Sequence, residues 1–591
     1  MAQDIEQQIR EATEWALGEV ARAAGADESV MDAEGAVSDV NFAVEWPADM
    51  AHGDYAVNAA MAAAKKLGKN PRELADELAP LIHEKLGELA ARVEVAGPGF
   101  INITLAHKTI SDQIACAAQS IGGDLQTTTN AAEGGVAWGE NTSHAGKRVI
   151  IEFSNTNAFK DMHIGHLMST IIGESLARII ESSGAKVCRD SYGGDVGPHV
   201  AKAIWGLRHA GITEPATAEE LGKAYAHGSR AYEESPEIKA QIDELNVAIY
   251  KGDDHELMEL WRKGRDVSID AFKDLYRILD THFDYLFFES ETSSIGLDIV
   301  KDGLERGVFE ESEGAIIYKG EKVGLHTLVF VTSRGTPTYE AKDVGLAFLK
   351  EERWPSDESI IVTAAEQIGH FNVFLAALSE IAPLLAAKTR HVPHGLLRLS
   401  TGKMSSREGN VIGASELIKS VLEKTLEKNP DPLIAEQVAL GAIKYSILKQ
   451  SAGSDIVFDF DRSLSLDGDS GPYLQYALVR AKSVLAKDSG IQGETLQQGL
   501  TLNASAPDAP YLLERLIVRF PEVVARAQED LAPHTIAQYL TQLASEWNSF
   551  YANEQIVGGT HEVYKRALAR AFVTTMTNGL HLLGIPAPEK M

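Results

Sequence analysis

The sequence predicts a multidomain α/β protein: a parallel-sheet domain with helical insertions, an N-terminal α+β module before it and a C-terminal α-helical bundle after it. Three observations predict this. Residues 149–184 read as an apolar strand, a polar loop and a helix, and 186–192 supply a second strand, so the stretch is a βαβ unit of a Rossmann-type parallel sheet. From Ala414 onward nearly every segment places apolar residues at helical spacing. The first 110 residues instead mix short alternating segments with two helices.

Length and composition set the bounds. The 591 residues are too many for one ordinary core, so three or more domains are expected. Hydrophobic residues at 44% and charged residues at 24% are the balance of a globular protein that folds in water. Cys116 and Cys188 are far apart and form neither a metal-ligand spacing nor a disulfide framework, which fits a reducing cytoplasm. The N-terminus is polar and acidic, unlike a signal peptide, and no apolar run approaches the ~20 residues that span a bilayer. A net charge of −30 argues against nonspecific coating of nucleic acid, because no third of the chain is basic.

In chain order, residues 1–110 form the first module, with helices over Asp4–Ala23 and about Asn70–Ala91. Phe42–Trp46 and Val93–Val95 alternate like strands, and Gly97-Pro98-Gly99 turns one strand into the next. Residues 111–147 read as a linker or insertion, since 122–147 are rich in Gly, Thr, Asn and Ala around a single large residue, Trp138. The sheet domain spans 148–413. Its first strand is Val149–Phe153, its first helix ends near Gly184, and a mostly helical insertion occupies 199–288. Strand-like segments resume at 314–318, 327–331 and 359–364, and Glu366–Phe371 start another helix. Residues 414–591 form the bundle.

Two tetrapeptides carry chemistry. His163-Ile164-Gly165-His166 opens the helix that follows the first strand, where free backbone N–H groups and the positive end of the dipole favour phosphate. Gly165 allows a ring or phosphate close to the backbone. Lys403-Met404-Ser405-Ser406 sits on a loop bracketed by Gly402 and Gly409, as a moving lid requires.

The string FSNTNAFKDMHIGHLMSTIIGESLARIIE resembles the first signature of class I aminoacyl-tRNA synthetases, and specifically that of arginyl-tRNA synthetases. KMSS at 403–406 resembles the second signature, and Gly471–Ala477 with the final Leu583–Met591 resemble the anticodon-binding domain of that family. The resemblance implies a Rossmann-type catalytic domain at 148–413, an N-terminal domain that contacts the tRNA elbow, and an anticodon-binding bundle at 414–591. It implies ATP and Mg²⁺ as cofactors, L-arginine and arginine tRNA as partners, no membrane, a cytoplasmic location and action as a monomer. His163, His166, Lys403 and Lys160 are then the catalytic candidates. ATP would be held by Lys160, His163, Gly165, His166, His370, Lys403, Met404, Ser405 and Ser406. Arginine would meet Asn155, Asn157, Glu289, Tyr339, Asp343 and Gln367, and tRNA would meet Tyr473, Gln475, Tyr476 and Arg480. No metal-ligating cluster is expected.

Physical chemistry supports the amino-acid pocket. A guanidinium is planar and permanently charged, so its pocket needs carboxylates in its plane. Thr336 suits an N-cap and Pro337 the first helical turn, which places Tyr339 and Asp343 on one helix face. Arg515, Arg519 and Arg526 share one side of a helix and offer either a phosphate track or a solvated face. The chain departs from the family at Val196, where a Trp is common, and at Ser406, where a second Lys is common. Two alternatives stay open: a class I ligase for another amino acid, and a non-catalytic tRNA-binding paralogue.

Overall fold

The computed structural model describes residues 4–24, 37, 40–120, 137–400, 413–451, 453–486, 502 and 506–591. Contacts divide the chain into two units. One joins Met1–Glu140 with Ala477–Ala525 and Tyr539–Asn578, and the other joins Asn141–Tyr476 with Arg526–Gln538 and Gly579–Met591.

The first unit opens with α1 (Ile5–Ala23), capped by the Asp4 side chain accepting from the Gln7 N–H. Strands β1 (Val44–Glu45) and β2 (Tyr55–Val57), helices α2 (Ala59–Leu67) and α3 (Pro71–Leu86), and strands β3 (Ala90–Ala96) and β4 (Phe100–Leu105) follow, then α4 (His107–Gln119). The sheet is antiparallel in the order β1-β2-β4-β3, and the Gly-Pro-Gly turn joins β3 to β4. The strand expected over Phe42–Trp46 is only Val44–Glu45. The flanking backbone is held by side chains instead: Arg10 donates to the Phe42 carbonyl and Asn58 accepts from the Ala43 N–H.

The arginine stripe is corrected here. Arg515 Nε lies 2.5 Å from Asp54 Oδ1, and the Arg519 guanidinium lies 5.3 Å from the Trp46 ring centre. Beside them Glu522 accepts from Trp46 Nε1 at 3.0 Å and from the Tyr55 hydroxyl at 2.5 Å. Arg515 and Arg519 therefore face the N-terminal module, as neither a phosphate track nor a solvated face. Trp138 is also tied down: its Nε1 donates to Thr575 Oγ1, and Asn578 donates to its carbonyl.

The second unit is built on a five-stranded parallel sheet. It contains β5 (Arg148–Glu152), α5 (Ile164–Glu181) and β6 (Lys186–Gly193), then the insertion helices α6 (Pro198–His209), α7 (Ala218–Glu234), α8 (Pro236–Lys251) and α9 (His255–Ile278). Next come β7 (Tyr285–Phe288), α10 (Glu289–Glu305), β8 (Glu310–Ser312), β9 (Ala315–Tyr318), β10 (Leu328–Val331), α11 (Tyr339–Arg353), β11 (Glu358–Ala364), α12 (Ile368–Ile381), α13 (Pro383–Lys388) and β12 (Thr389–His394). The sheet order is β12-β11-β5-β6-β7, and every pairing is parallel.

Successive residues of β11 point to opposite faces and join different cores. Ile360 and Val362 pack with Leu176 and Ile180 of α5, while Ile361 packs with Val344 of α11 and Phe374 of α12. The connections leave β5 and β11 on opposite sides of the sheet, so the crevice beyond the carboxyl end of β5 is a topological switch point. No helix among the described residues is long and apolar enough to cross a membrane.

Candidate active site

The site grows from the loop that leaves β5. Ser154, Asn155 and Phe159 have φ of 74°, 53° and 64°, a left-handed conformation that costs non-glycine residues about 1 kcal/mol or more each. Neighbours hold this backbone by side-chain oxygens. Ser169, Ser191 and Ser268 accept from the N–H groups of Ser154, Asn155 and Phe159. The Asn155 amide donates to Glu152 at 2.8 Å and accepts from the Tyr192 N–H at 3.0 Å. Asn155 was expected to touch substrate, but its amide oxygen and one amide proton are committed to ordering this loop.

The two signature histidines cap α5. His163 Nδ1 accepts from the Gly165 N–H at 3.0 Å, and His166 Nδ1 accepts from the His163 N–H at 3.3 Å. Their rings stack with centres 3.6 Å apart. A Cβ on Gly165 would lie 2.9 Å from His163 Cε1, so the glycine makes room for the chain's own ring. With both Nδ1 atoms accepting, each neutral ring carries its proton on Nε2. Burial lowers both pKa values, helped by Lys160 nearby, so both side chains are neutral Nε2–H donors at pH 7. Lys160 places its ammonium 4.6 Å from the Tyr225 ring centre and lines a cleft of about 270 Å³ with Asp161, Leu221, Phe272 and Ser415.

Acidic side chains gather on β5, β6, α10 and α11, and each is paired with an internal cation. Glu289, at the start of α10, accepts from Lys342 Nζ at 2.6 Å, and both side chains are over nine-tenths buried. Asp343 Oδ2 lies 2.5 Å from His370 Nε2, and the other nitrogen of that ring lies 3.3 Å from Glu340. Glu152 at the end of β5 and Asp190, its register partner within β6, share Lys350 Nζ at 2.6 and 2.9 Å. Burial raises the pKa of Glu289 and of Asp343, and each carboxylate is pushed further up by acidic neighbours. Asp190 is pushed up to about 7, by burial first and by Glu152 beyond what Lys350 offsets.

Tyr339 stands over this group, 61% exposed, with Lys342 Nζ 5.3 Å from its ring centre. Asn157 approaches Gly194 so closely that a Cβ there would sit 2.3 Å from Asn157 Oδ1. Glu289, Tyr339, Asp343 and His370 thus cluster around the first turns of α11. Gln367 is exposed just before α12, with no cap bond.

The helix start differs from the expected one. Thr338 is the N-cap and α11 begins at Tyr339, because Val331 and Pro337 pair as a bridge and the Thr338 N–H donates to the Phe330 carbonyl. Residues 336–338 therefore continue the strand pattern. Gln475 is fully buried and donates to the carbonyls of Gln437 and Pro586, so its amide nitrogen faces protein rather than solvent. Tyr473, Tyr476 and Arg480 are half-buried, and Arg480 donates to Asn548. Lys403, Met404, Ser405 and Ser406 lie outside the described residues.

Sequence reasoning missed the two cations Lys342 and Lys350, and it named His370 as an ATP contact without its pairing to Asp343 and Glu340. It also missed His199, whose Nε2 lies 3.2 Å from the Gly194 carbonyl and whose pKa burial lowers to about 4. One signal was available: Glu152 closes an otherwise apolar strand run, and a buried carboxylate needs a cation.

A parallel sheet with a switch-point crevice, a helix opened by two neutral histidine donors and an adjoining acidic pocket define a class I aminoacyl-tRNA synthetase. Residues 130–460 match the model of class I tRNA synthetase (R) catalytic domains, 474–591 the DALR anticodon binding domain, and 3–105 the arginyl tRNA synthetase N terminal domain. The chain belongs to the arginyl-tRNA synthetase family, the arginine–tRNA ligases. It is 32% identical over 560 residues to the arginine–tRNA ligase of Fusobacterium nucleatum, covering 91% of this chain and 93% of that one. It is 29% identical to that of Halothermothrix orenii, with 94% and 96% covered. The structure of Thermus thermophilus arginyl-tRNA synthetase superposes with a TM-score of 0.78 at 26% identity, covering 99% of this chain and all of that one.

Proposed function

We propose that this chain activates L-arginine with ATP and transfers it to the 3′ end of arginine tRNA, with the residues above in defined roles. The arginine carboxylate attacks the α-phosphorus of ATP, and pyrophosphate leaves. Such a step needs positioning and stabilisation of phosphoryl charge rather than a protein nucleophile. His163 and His166 would donate Nε2–H to phosphate oxygens at the N-terminus of α5, and Lys160 would add positive charge beside them. Lys403 of the second signature would add a further positive charge for the phosphates. Glu289, Tyr339 and Asp343 would receive the guanidinium, and Asn157 and Gln367 would position the amino-acid end.

Mg²⁺ is implied by the family. Among the described residues no three His, Cys, Asp or Glu side chains converge to hold a metal. Mg²⁺ carried by ATP phosphates and water needs no such set of protein ligands, and no step is assigned to it.

The observation that carries this reading is the acidic cluster on α10 and α11, where Glu289, Glu340 and Asp343 are held buried or half-buried in one parallel-sheet unit with the paired histidines that open α5. Arginine-dependent ATP–pyrophosphate exchange, run with and without tRNA, tests it. Exchange that responds to lysine or citrulline as strongly as to arginine would overturn the pocket assignment.

A further inference from the structure

Every carboxylate of the proposed arginine pocket is already matched to a cation belonging to the protein. Lys342 holds Glu289, Lys350 holds Glu152 and Asp190, and His370 holds Asp343 and Glu340. These five carboxylates share three cations, so the cluster is net negative, but a guanidinium that takes Asp343 meets the His370 imidazolium, whose Nε2 lies 2.5 Å from that carboxylate. Two positive charges then crowd one buried carboxylate, and their repulsion is relieved when one of them is shed. Lys342 and Lys350 are poor candidates. Each ammonium is at most 6% exposed and 2.6 Å from its carboxylate, and the neighbouring acids outweigh burial to raise both pKa values. An imidazolium is different, because it can shed its charge by losing a proton and remain in place as a hydrogen-bonding ring.

We propose that His370 is a positioning residue that holds the place of the guanidinium: its imidazolium neutralises Asp343 in the free enzyme, and arginine expels its proton on binding. The balance is closed. Arginine⁺ takes Asp343, neutral His370 remains, one proton goes to solvent, and the net charge of the pocket is unchanged. This rests on the arginine-pocket reading above, and it gives His370 a role distinct from the ATP contact expected from sequence.

The surroundings support the exchange. Asp343 and Glu340 on α11 face the ring directly, and together they raise its pKa from 6.5 to about 10 against the opposing effect of burial. His391 on β12 stacks on Phe371, the next residue, and is held near 4, so it adds no competing charge at neutral pH. His326 lies beside Gly369. Glu152, Glu289 and Tyr192 face Asp343 from β5, α10 and β6. When the guanidinium takes Asp343, His370 loses its stronger partner and its pKa must fall. The device also selects for charge, because a neutral isostere such as citrulline can occupy the volume but cannot displace the imidazolium.

Isothermal titration of L-arginine into the full-length protein at pH 7.5, in phosphate and in Tris, reads the proton count from the difference in apparent enthalpy. The expected result is release of between about half and one proton per arginine in the wild type, and a count less than half as large in His370→Gln. Release of fewer than half a proton by a wild type that binds arginine overturns the proposal, as does undiminished release from His370→Gln. The wild-type count decides the matter alone if that variant does not fold or bind. Arginine binding to Asp343→Asn with wild-type affinity would instead overturn the pocket reading, so the two failures are separable.

Discussion

At the scale of single residues, the strongest expectation concerns Asp343. Its removal leaves His370⁺ and the incoming guanidinium without their shared carboxylate, and breaking a buried charge pair costs ~3–5 kcal/mol. Asp343→Asn should lose about 10²–10³-fold in kcat/KM for arginine with ATP affinity unchanged, read by pyrophosphate exchange at varied arginine. His163→Ala or His166→Ala should lower kcat by about 10²-fold, the scale of one lost donor to developing charge, with smaller effects on KM. His370 also sets a stability trend. Its folded pKa of about 10 lies above the ordinary 6.5, so its contribution is complete below pH 6.5 and disappears as pH rises through 10. The melting temperature of the arginine-free protein should therefore decline across that window, and less steeply in His370→Gln. The sequence exposed the histidines, Asp343 and Glu289 because their spacing and chain position are local facts. It hid the cations, because Lys342 meets Glu289 across 53 residues and Lys350 meets Glu152 across 198, distances no local pattern spans.

At the scale of elements, strands and long helices were legible wherever apolar periodicity decided burial, as in β5, α5, β11 and the three long insertion helices. Element ends were less so. Thr336-Pro337 has the chemistry of a helix start, yet backbone pairing with β10 keeps both residues extended and moves the cap to Thr338. The arginine stripe was real as a pattern, but its partner, Asp54, is 461 residues away. This gives a sharp expectation. Asp54 is almost fully buried, and Arg515→Ala leaves it with the Leu105 N–H but without its ion-pair partner, at a cost of ~3–5 kcal/mol. The variant should melt earlier while its affinity for tRNA keeps the wild-type salt dependence. Loss of a phosphate contact would instead make that dependence shallower by about one unit. Trp138→Ala should likewise lower the melting temperature, since its volume is removed from a buried site next to Thr575 and Asn578.

At the scale of the molecule, the net charge of −30 limits how tRNA can be held. A surface of that charge permits only local phosphate contacts, so log K against log salt should have a slope well short of the magnitude ~10 seen for strongly basic binders. Filter binding of arginine tRNA between 50 and 200 mM salt checks this, and a slope near that magnitude would refute it. Composition divides the sequence into three regions, whereas contacts draw two units from interleaved segments, a combination that no composition reveals. The last residues show why this matters. Lys444, almost fully buried, donates to the carbonyls of Leu279 and Gly584, while Arg178 and Ser175 of α5 donate to those of His581 and Leu582. Residues 579–591 thus complete the unit that contains the signature helix, and they leave the ribosome after every other segment of it. A chain cut anywhere between residues 450 and 579 would retain both signatures and the whole five-stranded sheet yet carry a buried lysine missing one of its carbonyl acceptors. The fold thereby ties the soundness of the unit that holds the signature helix to a short segment more than 400 residues further along the chain.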